Sequence, residues 1–297
     1  MENVTTRFRS ITLAVALAVA LLGCGDDDDV VSGDGPVPDP NGSSSVLQIH
    51  RTGGLRPPGV EFADVPMASV LGDGTMIVEG AQIEIYPAPL LPPLIQVALS
   101  DEGLQQLLSA ADDAGLLSPA PDYGRPAIAD ATTTVITVRT GGEVVTHEIY
   151  ALLEAPGLDQ GGGLPGLTDD QRELRRAVED FVGQITTPEQ ALVAPEEVGD
   201  AEPFEAERFA IRATPVQPDE APPDGEIEPE VRDWPLADVP LADASECLEA
   251  VGEPGRNLAP VLAEANELAR FRDGDVVYDL DVRPLLPHED GCDAVAR

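Results

Sequence analysis

A nucleophilic hydrolase must bring a serine or cysteine to a histidine that a third group orients. The histidines of this chain are His50, His147 and His288. His50 precedes a Thr52-Gly53-Gly54 turn, His147 falls on an apolar strand face, and His288 lies in a charged tail segment, so none stands near a nucleophile-elbow context. A zinc site would show His-x-x-x-His or Cys-x-x-Cys spacing, and neither is present. Carboxylates are too numerous for any pair to point to acid–base chemistry. The sharper use for them is calcium, a hard cation that takes oxygen ligands. Asp26 to Asp29, Asp273 with Asp275, and Asp279 with Asp281 are the weak candidates, although no twelve-residue calcium loop accompanies them. No catalytic residue and no cofactor are predicted.

The residue with the clearest covalent chemistry is Cys24. Arg7 and Arg9 precede an apolar run from Ile11 to Leu22, the charged start and apolar middle of a secretory signal. Gly25 and Asp26 to Asp29 follow at once, so the run falls short of the about 20 apolar residues that cross a bilayer. A plain secretory signal would present an Ala-x-Ala site. Here Leu21-Leu22-Gly23 stands directly before Cys24, which resembles the lipobox of bacterial lipoproteins, whose cysteine is acylated and becomes the first residue after cleavage. That resemblance implies a signal at 1–23, a mature chain starting at the lipid-bearing Cys24, and attachment to the outer face of the cytoplasmic membrane. Lipid would make the membrane the first partner.

The chain has three cysteines, an odd number for an exported protein. With Cys24 assigned to lipid, Cys247 and Cys292 remain, and an oxidising compartment lets them bond. The alternative is two separate buried thiols.

Composition narrows the partners. Fifty-five acidic residues against seventeen basic ones, all arginine, give a formal charge of -38. Nucleic acid and anionic lipid surfaces are repelled by such a field. The 42% hydrophobic content suffices for a core in 297 residues.

The elements are read from periodicity and turn chemistry. Residues 24–45 are Asp, Gly, Pro and Ser with little to bury, and read as a disordered tether with a reach of about 25 Å. Order is predicted from Val46. A hairpin is predicted from Met67–Leu71 and Thr75–Glu79 about Gly72-Asp73-Gly74, then a second extended pair at Gln82–Tyr86 and Leu94–Leu99. Ser100, Asp101 and Glu102 open a helix with Leu104, Leu107, Leu108 and Ala111 on one face, ended by Gly115. Gly141-Gly142 closes a hairpin of Thr133–Arg139 and Val144–Tyr150, which sets Ile136 opposite His147 and makes His147 a satisfied core residue. Gly161 to Gly166 is only a loop. Thr168 and Gln171 form a capping box for a helix with Leu174, Ala177, Val178, Phe181, Val182 and Ile185 as its stripe.

Beyond this first module, 46–186, an acidic Pro-rich connection spans 187–207. The second, smaller module, 208–297, is predicted to hold a strand at Phe209–Ala213 and a mobile acidic loop at 216–233. Order returns at Trp234-Pro235-Leu236, and a helical turn carries Cys247. A helix at about Leu258–Leu268 follows with Pro260 in its first turn, then a hairpin about Asp273-Gly274-Asp275. Val276, Tyr278, Leu280 and Val282 face inward, while Val277, Asp279, Asp281 and Arg283 form an outward set. The fold class is α+β, two modules of antiparallel sheet each covered by one or two helices.

The order of the lipobox at Cys24, Leu71-Gly72-Asp73-Gly74, Asp122-Tyr123-Gly124 with Asp130-Ala131-Thr132-Thr133, Trp234-Pro235-Leu236, and Val282-Arg283-Pro284-Leu285-Leu286-Pro287 before Cys292 resembles a group of uncharacterised actinobacterial lipoproteins. The resemblance implies location and approximate fold and transfers no activity, ligand or site residue. The expected role is that of a monomeric, lipid-tethered envelope protein that acts by binding, with an envelope protein as the partner class. The rivals are an envelope hydrolase with a scattered site and an inhibitor of secreted enzymes, which would present a rigid protruding loop near the disulfide.

Overall fold

A computed structural model describes residues 44–154, 165–187, 192–217 and 227–295. Its first sheet grows from β1 (Ser45–Thr52), where Leu47 and Ile49 point to one face and Gln48 and His50 to the other. After the short α1 (Pro58–Ala63), β2 (Ala68–Leu71) and β3 (Thr75–Glu79) form the predicted hairpin. Its turn works because Gly74 takes φ +85° and Asp73 Oδ1 accepts from the Thr75 amide at 2.9 Å. β4 (Leu94–Ala98) pairs with β3, and Ser100 then caps α2 (Asp101–Asp113) by accepting from the Gly103 amide at 3.0 Å.

The hairpin of β5 (Thr133–Thr140) and β6 (Glu143–Tyr150) turns on Gly141 and Gly142, at φ +58° and +84°, and its register sets Ile136 opposite His147 as predicted. α3 (Asp169–Ile185) opens on the reciprocal Thr168–Gln171 capping box. With β7 (Glu202–Pro203) the strand order is β6-β5-β1-β2-β3-β4-β7, antiparallel throughout. α2 and α3 cover one face, burying Leu107, Leu108, Phe181 and Val182 on Leu47, Ile49 and Ile136.

The second sheet comprises β8 (Phe209–Pro215), β9 (Val231–Asp233), β10 (Leu248–Ala250), β11 (Arg270–Asp273) and β12 (Val276–Pro284), in the order β10-β8-β12-β11-β9. α4 (Glu253–Ala263) places Leu258 and Leu262 over Phe209, Phe271 and Leu280. Trp234 meets Phe271 edge to face at 5.9 Å, and its Nε1–H donates to the Val239 carbonyl at 2.7 Å, so this large side chain is buried without an orphaned donor. The fold is α+β, with helices packed on sheets.

Several expectations change. Gln82–Tyr86 enters no ladder, because β4 takes the free edge of β3. On α3, Leu174 and Ala177 face solvent and Arg175 turns inward. The Arg175 Nη2 donates to the Tyr150 and Ala151 carbonyls at 2.9 and 2.8 Å, holding a strand end where Ala151 sits at φ +52°. Residues 192–207 of the connection run along the first sheet, where β7 pairs with β4 and the Ser100 amide donates to the Glu197 carbonyl at 3.0 Å.

In the second sheet β9 runs parallel to β11, so this sheet is mixed, and the stretch read as a loop supplies an edge strand at its end. Residues 155–164 and 218–226, with most of the glycine-rich loop and half of the acidic one, lie outside the described residues. Cys247 directly precedes β10; the nearby helical turn is Leu241–Asp243. α4 starts at Glu253, with Pro254 in its first turn and Pro260 in its interior. Asp279 of the outward set of β12 stays exposed, but the later part of that set is covered: α1 packs across it, Phe62 lies under the Arg212 guanidinium at 4.7 Å, Asp281 is half-buried and Arg283 is buried.

Candidate functional site

Cys24 and Asp26 to Asp29 lie outside the described residues. Cys247 and Cys292 are bonded, with Cα atoms 5.9 Å apart. The remaining carboxylates singled out for calcium do not converge. Asp273 Oδ2 accepts from the Leu241 amide at 2.8 Å, Asp279 pairs with Arg270 at 2.9 Å, and Asp281 pairs with Arg212 at 2.7 Å. Asp275 is exposed at the hairpin turn. No group of three or more His, Cys, Asp or Glu placed to hold a metal ion occurs among the described residues. Protein donors explain the dispersal, since three of the four carboxylates are already committed, two to arginines and one to a backbone amide.

His147 sits wholly within the first core, as its register demanded. Its Nδ1 lies 2.7 Å from Tyr123 Oη and its Nε2 lies 3.1 Å from the Leu116 carbonyl. A carbonyl only accepts, so Nε2 carries the hydrogen and Nδ1 accepts from the phenol. Burial lowers the His147 pKa, against backbone hydrogen bonds that raise it, and burial pushes Tyr123 up to about 12. The imidazole is a neutral core group.

A pH consequence follows from the sign of that shift. The unfolded histidine takes up a proton near pH 6.5, while the folded one resists it to lower pH, so the unfolded state binds more protons in that window. Stability should therefore fall as pH drops below about 6.5 and level off beneath the folded value. Denaturant unfolding between neutral and mildly acidic pH should show a smaller loss in His147→Gln than in the native protein. Equal slopes would contradict the neutral assignment.

The other two histidines, far apart in sequence, meet at a small polar pocket of about 70 Å³ on the other face of the first sheet. β1 supplies Gln48 and His50, the segment before α1 supplies Arg56, and the chain after β12 supplies His288 and Glu289. Gln48 Nε2 lies 3.1 Å from His288 Nε2. Glu289 forms a buried ion pair with Arg283 and accepts the Leu286 amide at 2.9 Å, which closes the Leu286–Glu289 turn and fixes His288. Arg56 pairs with Asp64 at 2.9 Å. This volume admits a water or two, and its described lining contains no serine or cysteine. Thr52 supplies the hydroxyl of that lining.

The larger concavity is a groove of about 750 Å³. One wall is the strap from Ala81 to Pro93 that joins β3 to β4, another is the Pro203–Glu207 segment, and the third is the face of α4 carrying Arg256, Ala259, Pro260 and Ala263. Leu91, Leu94 and Phe204 make its lining apolar, while Glu205 and Glu207 stand exposed at its rim. The strap is fixed at both ends. The Gly80 amide donates to the Pro93 carbonyl at 2.6 Å, the Leu90 amide to the Ala265 carbonyl at 3.0 Å, and the Glu267 amide to the Ala88 carbonyl at 2.8 Å. Between these ties Ile83 is 66% exposed and Tyr86 69%. Size and apolar lining suit a ligand site.

Sequence reasoning missed both concavities. The pocket joins residues 240 positions apart, for which no local signal exists. The groove had one signal, the apolar alternation of Ile83 and Ile85, which reads as a paired strand.

No protein-family model matches the chain, and neither the curated proteins nor the solved structures contain a match. Among the described residues no helix is long and apolar enough to cross a membrane.

Proposed function

We propose that this protein is a lipid-anchored, extracytoplasmic protein that acts by binding, with the groove between the 81–93 strap and α4 as its binding site. The observation that carries the binding role is the contrast between the concavities: about 750 Å³ of apolar, pre-formed groove against about 70 Å³ of ion-paired pocket. The anchor is supported by cysteine use. Cys247 and Cys292 pair with each other, which leaves Cys24, behind its signal-like run, as the one cysteine outside the bridge. The charge of -38 disfavours nucleic acid and points the body away from anionic headgroups, toward other envelope proteins as partners. The family resemblance carried by Cys24 and the Val282 to Pro287 segment agrees with this placement and adds no activity.

Site-specific photo-crosslinking in cells that make the protein tests the role. A photoreactive residue at position 83 should give a discrete adduct that one at position 144, an equally exposed site on the far hairpin, does not. Identical patterns from both positions, or no adduct at 83, would overturn the reading.

A further inference from the structure

The stretch Gln82-Ile83-Glu84-Ile85-Tyr86 has strand periodicity in its sequence and no strand partner among the described residues; the Ile85 amide donates to the Ile83 carbonyl at 2.9 Å, and the other main-chain groups of the stretch are the ones offered to an incoming segment. Its residues are exposed, including Ile83 at 66% and Ile85 at 53%, although such side chains gain by leaving water. The segment is nonetheless held by the ties at Gly80, Ala88 and Leu90, which lower the ordering cost of binding there. Ile83 lines the apolar groove, while Glu205 and Glu207 place carboxylates around it and Arg256 is the lone cation of its described lining.

We propose that this groove docks an extended polypeptide segment in which apolar side chains alternate with arginine or lysine, laid alongside Gln82–Tyr86. Strand addition uses main-chain groups for affinity and alternate side chains for selection, one set entering apolar pockets and the other facing out. Apolar residues of the incoming segment meet Leu91, Leu94 and Phe204, and its cations meet the rim carboxylates. Those carboxylates, within a chain of formal charge -38, repel fatty-acid carboxylates and anionic headgroups and so favour a cationic peptide over a lipid. This inference rests on the binding role proposed above and names the ligand class of that same site.

The test uses the full mature chain in phosphatidylcholine vesicles and reads fluorescence anisotropy of a labelled, alternating valine–arginine octapeptide at physiological salt. It should bind at least about tenfold more tightly than a serine–arginine octapeptide of equal charge, because the valines bury apolar surface. Ile83→Ser should weaken it about tenfold, and Glu205→Gln with Glu207→Gln should weaken it and flatten its salt dependence. Val144→Ser, on the far hairpin, should leave binding unchanged and shows that surface substitution alone has no effect. Equal affinity for the two cationic octapeptides, or indifference to Ile83→Ser, would overturn the inference by reducing the attraction to general charge. An uncharged alkyl glucoside that binds the groove while the octapeptide does not would also overturn it, yet leave the binding role standing. Loss of both, together with an absent crosslink at position 83, would remove the role itself.

Discussion

Replacing Cys24 with alanine should transfer the protein from the membrane to the soluble exported fraction. The expectation follows from what would otherwise hold it. Each acyl methylene buried in the bilayer contributes about 0.8 kcal/mol, and more than one chain makes release negligible. The protein's charge of -38 opposes anionic lipid, and none of its described helices can span a bilayer. The Ile11 to Leu22 run is shorter than the about 20 residues a spanning segment requires, so under the proposed anchor it is not expected to substitute for lipid. Cell fractionation of the alanine form checks this, and full retention in the membrane would contradict it.

Removing the Cys247–Cys292 bridge should cost about 4 kcal/mol of stability, the chain-entropy value for closing a loop of this span. The sequence separation is 45 residues, and the loop encloses β10, α4, β11 and β12. The bridge also joins two packed pieces, since the Cys292 amide donates to Glu249 at 2.8 Å and Ala294 packs with Phe62 and Ala210. Losing it removes the covalent tie of the Gly291–Ala294 turn to β10, while the Leu286–Glu289 turn keeps its own ion pair and hydrogen bonds. Denaturant unfolding of Cys247→Ser with Cys292→Ser, set beside the native protein with and without reductant, measures the difference. Two serine replacements without effect on the midpoint would show that the bridge does not form in the folded protein.

The reach of sequence reasoning is visible in individual residues. Gly141-Gly142 fixes a hairpin register locally, so the pairing of Ile136 with His147 and the burial of that imidazole were legible in advance. The caps of α2 and α3 are equally local. Arg175 was not legible, because hydropathy assigns a guanidinium outward and only the structure shows the Tyr150 and Ala151 carbonyls that require it. α4 began earlier than expected because Pro254, not Pro260, occupies its first turn. Asp281 and Arg283 read as solvent-facing until α1, unassigned from sequence, was seen to cross β12. Gln82–Tyr86 carries strand periodicity yet forms no strand, since pairing is a long-range choice and β4 pairs with β3 instead. The candidate groove is the direct result of that choice.

Intact-mass and peptide mass spectrometry of protein purified from its own membranes tests the central claim most directly. The account predicts a chain beginning at Cys24, heavier than its amino acids by an acylated cysteine, with peptides containing Cys247 and Cys292 joined. An unmodified chain still carrying the residues before Cys24, or free thiols at Cys247 and Cys292, would contradict it.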